Sequence, residues 1–108
     1  MLKEEATLPR AQLDADYTAR ATVSDAEFAR ITGLYQSLTD SAKSLPNGHL
    51  SIEFCPDTGL QLDLYGTAPG QLRPVVVFIH GGYWRALGRG QSGFAAPMLA
   101  AKGIACAV

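Results

Sequence analysis

The stretch that decides the fold is VVVFIHGGYWRALGRG, residues 75–90. It opens with five apolar residues that show no alternation and lie between Pro74 and Gly81. Such a run is typical of a strand that is buried on both faces of a parallel sheet flanked by helices. A histidine, two glycines and two large aromatic residues follow directly. Adjacent glycines lose much backbone entropy on folding, so this junction is predicted to serve something other than stability.

Downstream of this stretch, the sequence predicts a helix and a second strand. The segment SGFAAPMLAAKG has helical spacing, and Pro97 is compatible with it only if the helix begins near Ala96 or is kinked there. Gly103 is well placed as a C-terminal cap, and IACAV at 104–108 is a second apolar strand. Strand, loop, helix and strand from residue 75 to residue 108 form a βαβ unit.

Upstream, the sequence predicts one long helix. Residues 24–45 begin with Ser24 and Glu27 in the pattern of a capping box, and PNGH ends the segment. Apolar residues recur at helical spacing and predict one buried face. They are Phe28, Ile31, Leu34, Tyr35, Leu38, Ala42 and Leu45.

Two alternating runs follow the helix. Apolar and polar residues alternate over 50–54 and again over 60–64, with the turn cluster CPDTG between them. This pattern predicts an antiparallel hairpin with its leucine, isoleucine and phenylalanine face buried and its polar face in water. We therefore expect an α/β chain with a helical segment over residues 1–48 and a sheet domain that starts at residue 49.

Composition excludes several classes of function. The chain has 108 residues, 9 basic and 10 acidic, with no basic stripe, so nucleic-acid binding is not expected. The N-terminus lacks the apolar core of a signal peptide, and the longest apolar run is too short to span a membrane. We expect a cytoplasmic protein without a metal framework. Cys55 and Cys106 allow a disulfide in principle, but such a chain favours two reduced thiols.

The glycines after the strand are the candidate site. Ligands of open α/β sheets bind beyond the carboxyl ends of the strands, and Gly81 and Gly82 allow a sharp turn that brings backbone N–H groups close to a ligand. The backbone N–H groups of Gly82 and Tyr83 are the predicted donors to an oxyanion. His80 is expected to brace the loop rather than to act as a base. Tyr83 and Trp84 either wall a substrate pocket or plug the end of the core.

Other readings of the same glycines fit less well. HGGYWRALGRG lacks the G-x-G-x-x-G spacing of a dinucleotide-binding turn, and no Gly-Lys-Ser/Thr ending marks a phosphate loop. The segment GRGQSG, residues 88–93, has the glycine content either of an anion cradle or of a mobile loop. The mobile loop is the expected form.

The residues FIHGGYWRALGRGQSGFAAPMLAAKGIACAV resemble the start of the catalytic domain of α/β-hydrolases, in the esterase/lipase and kynurenine formamidase (arylformamidase) group. In this group an H-G-G-x-W motif follows the third strand and supplies oxyanion-hole N–H groups. LDADYTAR and LQLDLYGTAP resemble the N-terminal segment and second strand of formamidases. The resemblance implies hydrolysis of N-formylkynurenine to kynurenine and formate through a serine acyl-enzyme, with no cofactor and no metal.

The chain departs from the family pattern in one respect. It has no G-x-S-x-G nucleophile elbow; Ser92 in GQSGF does not follow a strand, and His49 lies outside any triad position. We therefore expect the N-terminal portion of an α/β-hydrolase fold with an incomplete sheet, inactive as 108 residues and prone to self-association through unpaired strand edges. The alternatives are a fragment of a carboxylesterase or lipase-like hydrolase, and a non-catalytic truncated product.

Overall fold

The structure is a computed structural model and describes residues 7–108. The chain divides into two compact units, Met1–Ile31 and Thr32–Val108, which part inside a helix. The division at residue 48 suggested by the sequence stays a prediction. Within the described residues, no helix is long and apolar enough to cross a membrane.

The first unit is helical. Helix α1 covers Arg10–Tyr17, a 3-10 helix covers Ala19–Thr22, and helix α2 covers Asp25–Lys43 and continues into the second unit. The Ser24 hydroxyl accepts a hydrogen bond from the Glu27 N–H at 3.1 Å, as the capping-box pattern predicts. Half of the reciprocal cap is therefore present at the start of α2.

The buried stripe of α2 differs from the predicted one. Thr39 and Ala42 are fully buried, whereas Leu34 and Leu38 are 45% and 41% exposed. Half-buried Tyr35, together with Thr39 and Ala42, follows an i, i+4, i+7 spacing, which places the contact face one residue away from the leucines. The predicted face is therefore confirmed only in part: Tyr35, Ala42 and Leu45 are at least half-buried, whereas Phe28, Leu34 and Leu38 are exposed.

A mixed sheet of four strands forms the centre of the second unit. Its strands are β1 (His49–Cys55), β2 (Leu60–Tyr65), β3 (Val75–Val77) and β4 (Ala105–Ala107), in the spatial order β1-β2-β4-β3. The first hairpin is antiparallel, β2 and β4 are antiparallel, and β3 and β4 are parallel. The predicted hairpin and βαβ unit are thus confirmed, and the fold is α/β.

The hairpin buries a different face from the predicted one. Asp63 and Tyr65 on β2 are 4% and 1% exposed, whereas Leu50, Ile52 and Phe54 on β1 are exposed. The alternation itself is real, but the segment after β3 covers the face with Asp63 and Tyr65 rather than the leucine face. The negative charge of Asp63 can be buried on this face because it pairs with a basic side chain, which is described below.

Helix α3 connects the two parallel strands. It covers Ala96–Ala101 with Pro97 in its first turn, and Gly103 adopts φ 72° just beyond its end. Both features agree with the sequence pattern. The buried hydrophobic cluster under α3 is made of Ala42, Tyr65, Ala96, Leu99 and Cys106.

Strand β3 lies at the edge of the sheet. Its valines are 53%, 42% and 67% exposed, and Ile79 just beyond it is 87% exposed. The Phe78 N–H still donates to the Ala107 carbonyl at 2.8 Å, which extends the parallel ladder by one bond. Burial on both faces is therefore not observed for this strand in the described part of the chain, because β4 is its only neighbour in the sheet.

Candidate functional site

The loop after β3 lines an open concavity. Residues 79–87 surround a volume of about 590 Å³ at the carboxyl end of the strand. This is the edge at which open α/β sheets bind ligands. All the residues singled out in the sequence, from His80 to Trp84, lie in this one loop.

The turn in this loop centres on Gly82. Gly82 has φ 127°, and a Cβ atom built there would lie 1.8 Å from the Ala86 carbonyl oxygen. The N–H groups of Arg85 and Ala86 both donate to the Gly82 carbonyl at 3.0 Å. Only glycine fits this backbone without strain. At Gly81, in contrast, φ lies outside the left-handed region and an added Cβ would meet open space.

The two aromatic residues continue the left-handed turn. Tyr83 and Trp84 have φ 53° and 56°, a conformation that L-residues adopt at a cost of about 1–2 kcal/mol each. Neither the Gly82 N–H nor the Tyr83 N–H has an acceptor among residues 7–108. The turn therefore uses the Gly82 carbonyl internally and leaves these two donors without an acceptor in the described chain.

The side chains of the loop are exposed. Tyr83 and Trp84 are 79% and 97% exposed, and their rings lie 5.6 Å apart in a tilted arrangement. This excludes the alternative in which they plug the core of the described chain. The exposed His80 ring places Nδ1 2.9 Å from the Gly81 carbonyl oxygen, a contact that stays within the loop.

The segment after the loop is firmly held. Residues 89–91 form a 3-10 helix, whereas the sequence led us to expect an irregular loop over 88–93. Ser92 is 3% exposed, and its hydroxyl donates to the Gly88 carbonyl at 2.6 Å. The Gly93 N–H donates to the Thr39 hydroxyl at 3.1 Å. A buried and hydrogen-bonded Ser92 is not placed to attack a substrate.

Arg89 links this segment to the hairpin. Its Nε lies 3.0 Å from Asp63 Oδ1, and its Nη2 donates at 2.9 Å to both the Ser51 hydroxyl and the Gln61 side-chain oxygen. The Ser51 N–H also donates to Asp63 Oδ1 at 2.8 Å. Sequence analysis missed this cluster because Asp63 sits at a position that the alternation assigns to water.

Tyr65 lies beside the cluster. Its hydroxyl is buried and has no hydrogen-bond partner among the described residues. Burial, followed by the negative charge of Asp63, raises the pKa of Tyr65 to about 12. Gly93 packs against its ring, since a Cβ at Gly93 would lie 3.1 Å from Tyr65 Cε2 and 3.2 Å from Thr39 Cγ2.

No candidate metal site emerges from the geometry. Over residues 7–108, no group of three or more His, Cys, Asp or Glu side chains is arranged to hold a metal ion. Cys55 and Cys106 are both free thiols, and burial raises the pKa of the Cys106 thiol.

Comparison with known proteins gives relatives of one kind. The chain is 31% identical over 105 residues to a kynurenine formamidase of Salmo salar, an alignment that covers 96% of this chain and 35% of the relative. It is 31% identical over 90 residues to a kynurenine formamidase of Danio rerio, covering 81% of this chain and 30% of that relative. The chain is similar to kynurenine formamidases.

The similarity has a defined extent. The chain spans about a third of the length of these curated relatives. No family model matches the chain, and no solved structure matches it either. The alignment with the salmon protein includes nearly all of the sequence, so it is not confined to the glycine loop.

Proposed function

We propose that the loop from His80 to Trp84 is the oxyanion-binding part of a hydrolase active site of the kynurenine formamidase type. The observation that carries the proposal is the turn at Gly82, which leaves the N–H groups of Gly82 and Tyr83 without an acceptor among residues 7–108. The similarity to two kynurenine formamidases supports the same reaction class.

The chemistry follows from the charge that develops during acyl transfer. When a nucleophile attacks the formyl carbon of an N-formyl aryl amide, the carbonyl oxygen becomes negatively charged. Two fixed N–H donors stabilise that oxygen more than the neutral carbonyl, and one donor is worth about 3–4 kcal/mol in the transition state. The turn depends on Gly82 rather than on Gly81, where an added Cβ would meet open space, so the predicted turn role of Gly81 passes to Gly82. His80 contacts the Gly81 carbonyl oxygen, so the donors of Gly82 and Tyr83 are set before substrate arrives.

The exposed aromatic rings suit an aryl substrate. Tyr83 and Trp84 flank the proposed donors and present large apolar surfaces to the concavity. Aromatic rings that pair in offset or edge-to-face arrangements gain about 0.5–1.5 kcal/mol beyond their burial. We assign these two residues to the wall of the substrate pocket, with N-formylkynurenine as the substrate and no cofactor or metal.

The nucleophile is not assigned to any residue of this chain. Ser92 is buried and hydrogen-bonded, and the sequence holds no G-x-S-x-G elbow. The complete reaction therefore requires a nucleophile, an acid and a base from outside residues 1–108. In this proposal the 108 residues contribute the oxyanion site and part of the pocket wall.

The test uses the gene product that carries these residues. The coding DNA beyond codon 108 is read, the product is expressed, and its hydrolysis of N-formylkynurenine is compared with that of short-chain aryl esters. We expect an in-frame nucleophile elbow and a preference for the formyl amide. A stop codon directly after Val108 would overturn the proposal, and a preference for esters would replace it with a carboxylesterase.

A second measurement addresses the 108-residue chain by itself. We expect no covalent labelling by a fluorophosphonate probe, because no serine of the chain is paired with a base in an elbow. Stoichiometric labelling of Ser92, read by mass spectrometry, would show that this assignment is wrong. A catalytically competent serine hydrolase of known activity serves as the positive control.

A further inference from the structure

We propose that Asp63 and Arg89 are positioning residues for the glycine loop: together they fix the end at which the loop returns to the sheet. The inference deepens the proposed function and rests on it for the catalytic consequence. Its structural part stands on the contacts of Arg89 alone and can be tested without any activity.

The loop is held at its two ends and not along its length. At one end the Phe78 N–H donates to Ala107 on β4. Across residues 80–87, the hydrogen bonds and ring contacts in the described chain all join two residues of the loop itself. The location of the turn at Gly82 therefore depends on where its two ends are fixed.

Arg89 fixes the second end. Its guanidinium reaches three groups of the hairpin: the carboxylate of Asp63, the hydroxyl of Ser51 and the side-chain oxygen of Gln61, at 2.9 to 3.0 Å. A planar guanidinium with donors in fixed directions is suited to such a site, and a lysine would not reproduce its geometry. Three contacts define both the location and the orientation of the arginine head.

The carboxylate is itself immobile. The Asp63 side chain is 6% exposed and that of Arg89 is 34% exposed. Asp63 Oδ1 also accepts the Ser51 N–H at 2.8 Å, so it is tied to both strands of the hairpin. A buried carboxylate depends on its cationic partner, because an unpaired charge in this place is strongly unfavourable.

The effect of Arg89 passes to the loop through the neighbouring backbone. Gly88 precedes it, and the Gly88 carbonyl accepts both the Gln91 N–H at 3.1 Å and the Ser92 hydroxyl at 2.6 Å. Leu87, the last residue of the loop, is joined directly to this fixed point. A shift of 1 Å at reacting groups can lower a rate by about 100-fold, so loss of the anchor is expected to matter for turnover.

The experiment compares Asp63→Asn, Arg89→Gln and the double variant with the wild type in the gene product that carries residues 1–108. Lys43→Met is the matched control, since Lys43 lines a second surface pocket together with Asp63 and Arg89 and pairs with the exposed Asp40. Hydrogen exchange is followed by mass spectrometry for peptides over 79–95 and, separately, over 60–65 and 104–108. Steady-state hydrolysis of N-formylkynurenine is measured in parallel.

We expect each single variant to speed exchange over 79–95 by a larger factor than over the two strand peptides. The double variant should be no worse than either single one, because both changes break the same contact. In the hydrolysis assay kcat should fall about 10- to 100-fold with little change in KM, since the donors act on the transition state. Lys43→Met should match the wild type in both measurements.

Three outcomes would overturn the positioning role. The first is unchanged exchange over 79–95 in the variants. The second is equal acceleration in the strand peptides, which indicates general destabilisation. The third is fast exchange over 88–94 in the wild type, which would mean that this segment is not held in place. Missing hydrolysis in a wild type that shows the expected exchange pattern would count against the proposed function and not against the anchor.

Discussion

The βαβ unit changes character at Gly88. In its front half, residues 75–87, the apolar side chains stand in water: Val77 is 67%, Ile79 87% and Trp84 97% exposed. In its return half, residues 88–108, Ser92, Ala96 and Cys106 are each at most 3% exposed. The two halves are similar in apolar content yet opposite in burial.

The difference lies in side-chain size and in neighbours. The return half is rich in alanine and glycine, which allow α3, β4 and Tyr65 to approach closely. The front half carries valines, an isoleucine and large aromatics in and after β3, which pairs with one strand among residues 7–108. An exposed apolar surface of this kind marks a place where a soluble protein binds something. Apolar sequence therefore marks the core in one half and an exposed surface in the other.

The largest effect is expected from a substitution at the turn of the front half. We expect Gly82→Ala, in the gene product, to lower kcat about 100- to 1,000-fold, because the new Cβ would collide with the Ala86 carbonyl and displace the proposed donors. Gly81→Ala is the matched control, since open space surrounds that position. Steady-state kinetics and the thermal midpoint are compared for both. Near-normal turnover in a folded Gly82→Ala protein would show that this loop is not the oxyanion site.

A second change tests whether the front half associates with itself. Parallel pairing with β4 leaves one edge of β3 without a partner in the described chain, and its valines carry no charge. We expect the 108-residue chain to form oligomers, and Val77→Lys to weaken their association about tenfold or more, because a charged side chain on an edge strand opposes pairing. Size-exclusion chromatography with light scattering measures this. Leu72→Lys, at an exposed position outside the strand, is the control and should leave the association unchanged.

A third change tests the close packing of the return half. We expect Gly93→Ala to lower the free energy of unfolding by about 1–3 kcal/mol, because its Cβ would press on the Tyr65 ring and the Thr39 methyl group. Gly90→Ala, with no atom within 4 Å of the added carbon, should lie within about 0.5 kcal/mol of the wild type. Urea unfolding gives both values. Equal stability of the two variants would mean that the contact at Gly93 is loose.

The smallest effect at neutral pH concerns the Tyr65 hydroxyl. Its pKa of about 12 lies above the ordinary value of 10, so the folded chain holds the phenolic proton more tightly than the unfolded chain. This contribution is complete below pH 10 and is lost as the pH rises from 10 to 12, by about 1–3 kcal/mol in total. Tyr65→Phe should be close to neutral at pH 7, since the hydroxyl lacks a partner in the described chain, and should remove that alkaline loss.

Urea unfolding of the wild type and of Tyr65→Phe at pH 7, 9, 10 and 11 provides the measurement. Parallel profiles for the wild type and Tyr65→Phe would contradict the raised pKa.

Local patterns predicted the elements of the fold. The hairpin, the start of α3 near Ala96, the cap at Gly103 and the parallel pair of strands all follow from spacing, proline position and glycine chemistry. Each of these signals acts over a few residues, and the structure satisfies each one locally. The glycine loop follows β3 and lines a concavity, and its role as a binding site stays a prediction.

Burial could not be read from the same patterns. The hairpin alternation is symmetric, so it does not say which face is covered, and Arg89, 26 residues away from Asp63, decides the answer. The stripe on α2 shifted from Leu38 to Thr39 because the partner surface offers a hydrogen-bond donor, the Gly93 N–H. The signal that could have revealed the cluster is the combination of an acidic residue in a strand and an arginine in a glycine-rich segment.

Cys106 gives the return half a built-in chemical reporter. The thiol lies at the centre of β4 with 1% exposure, and burial raises its pKa, so both access and ionisation oppose alkylation in the folded chain. Cys55 sits at the end of β1 and is only partly covered. A thiol reagent should therefore modify one site quickly and the second only when the sheet opens. The rate of the second modification then reports how often the sheet opens, and no label has to be added to the protein.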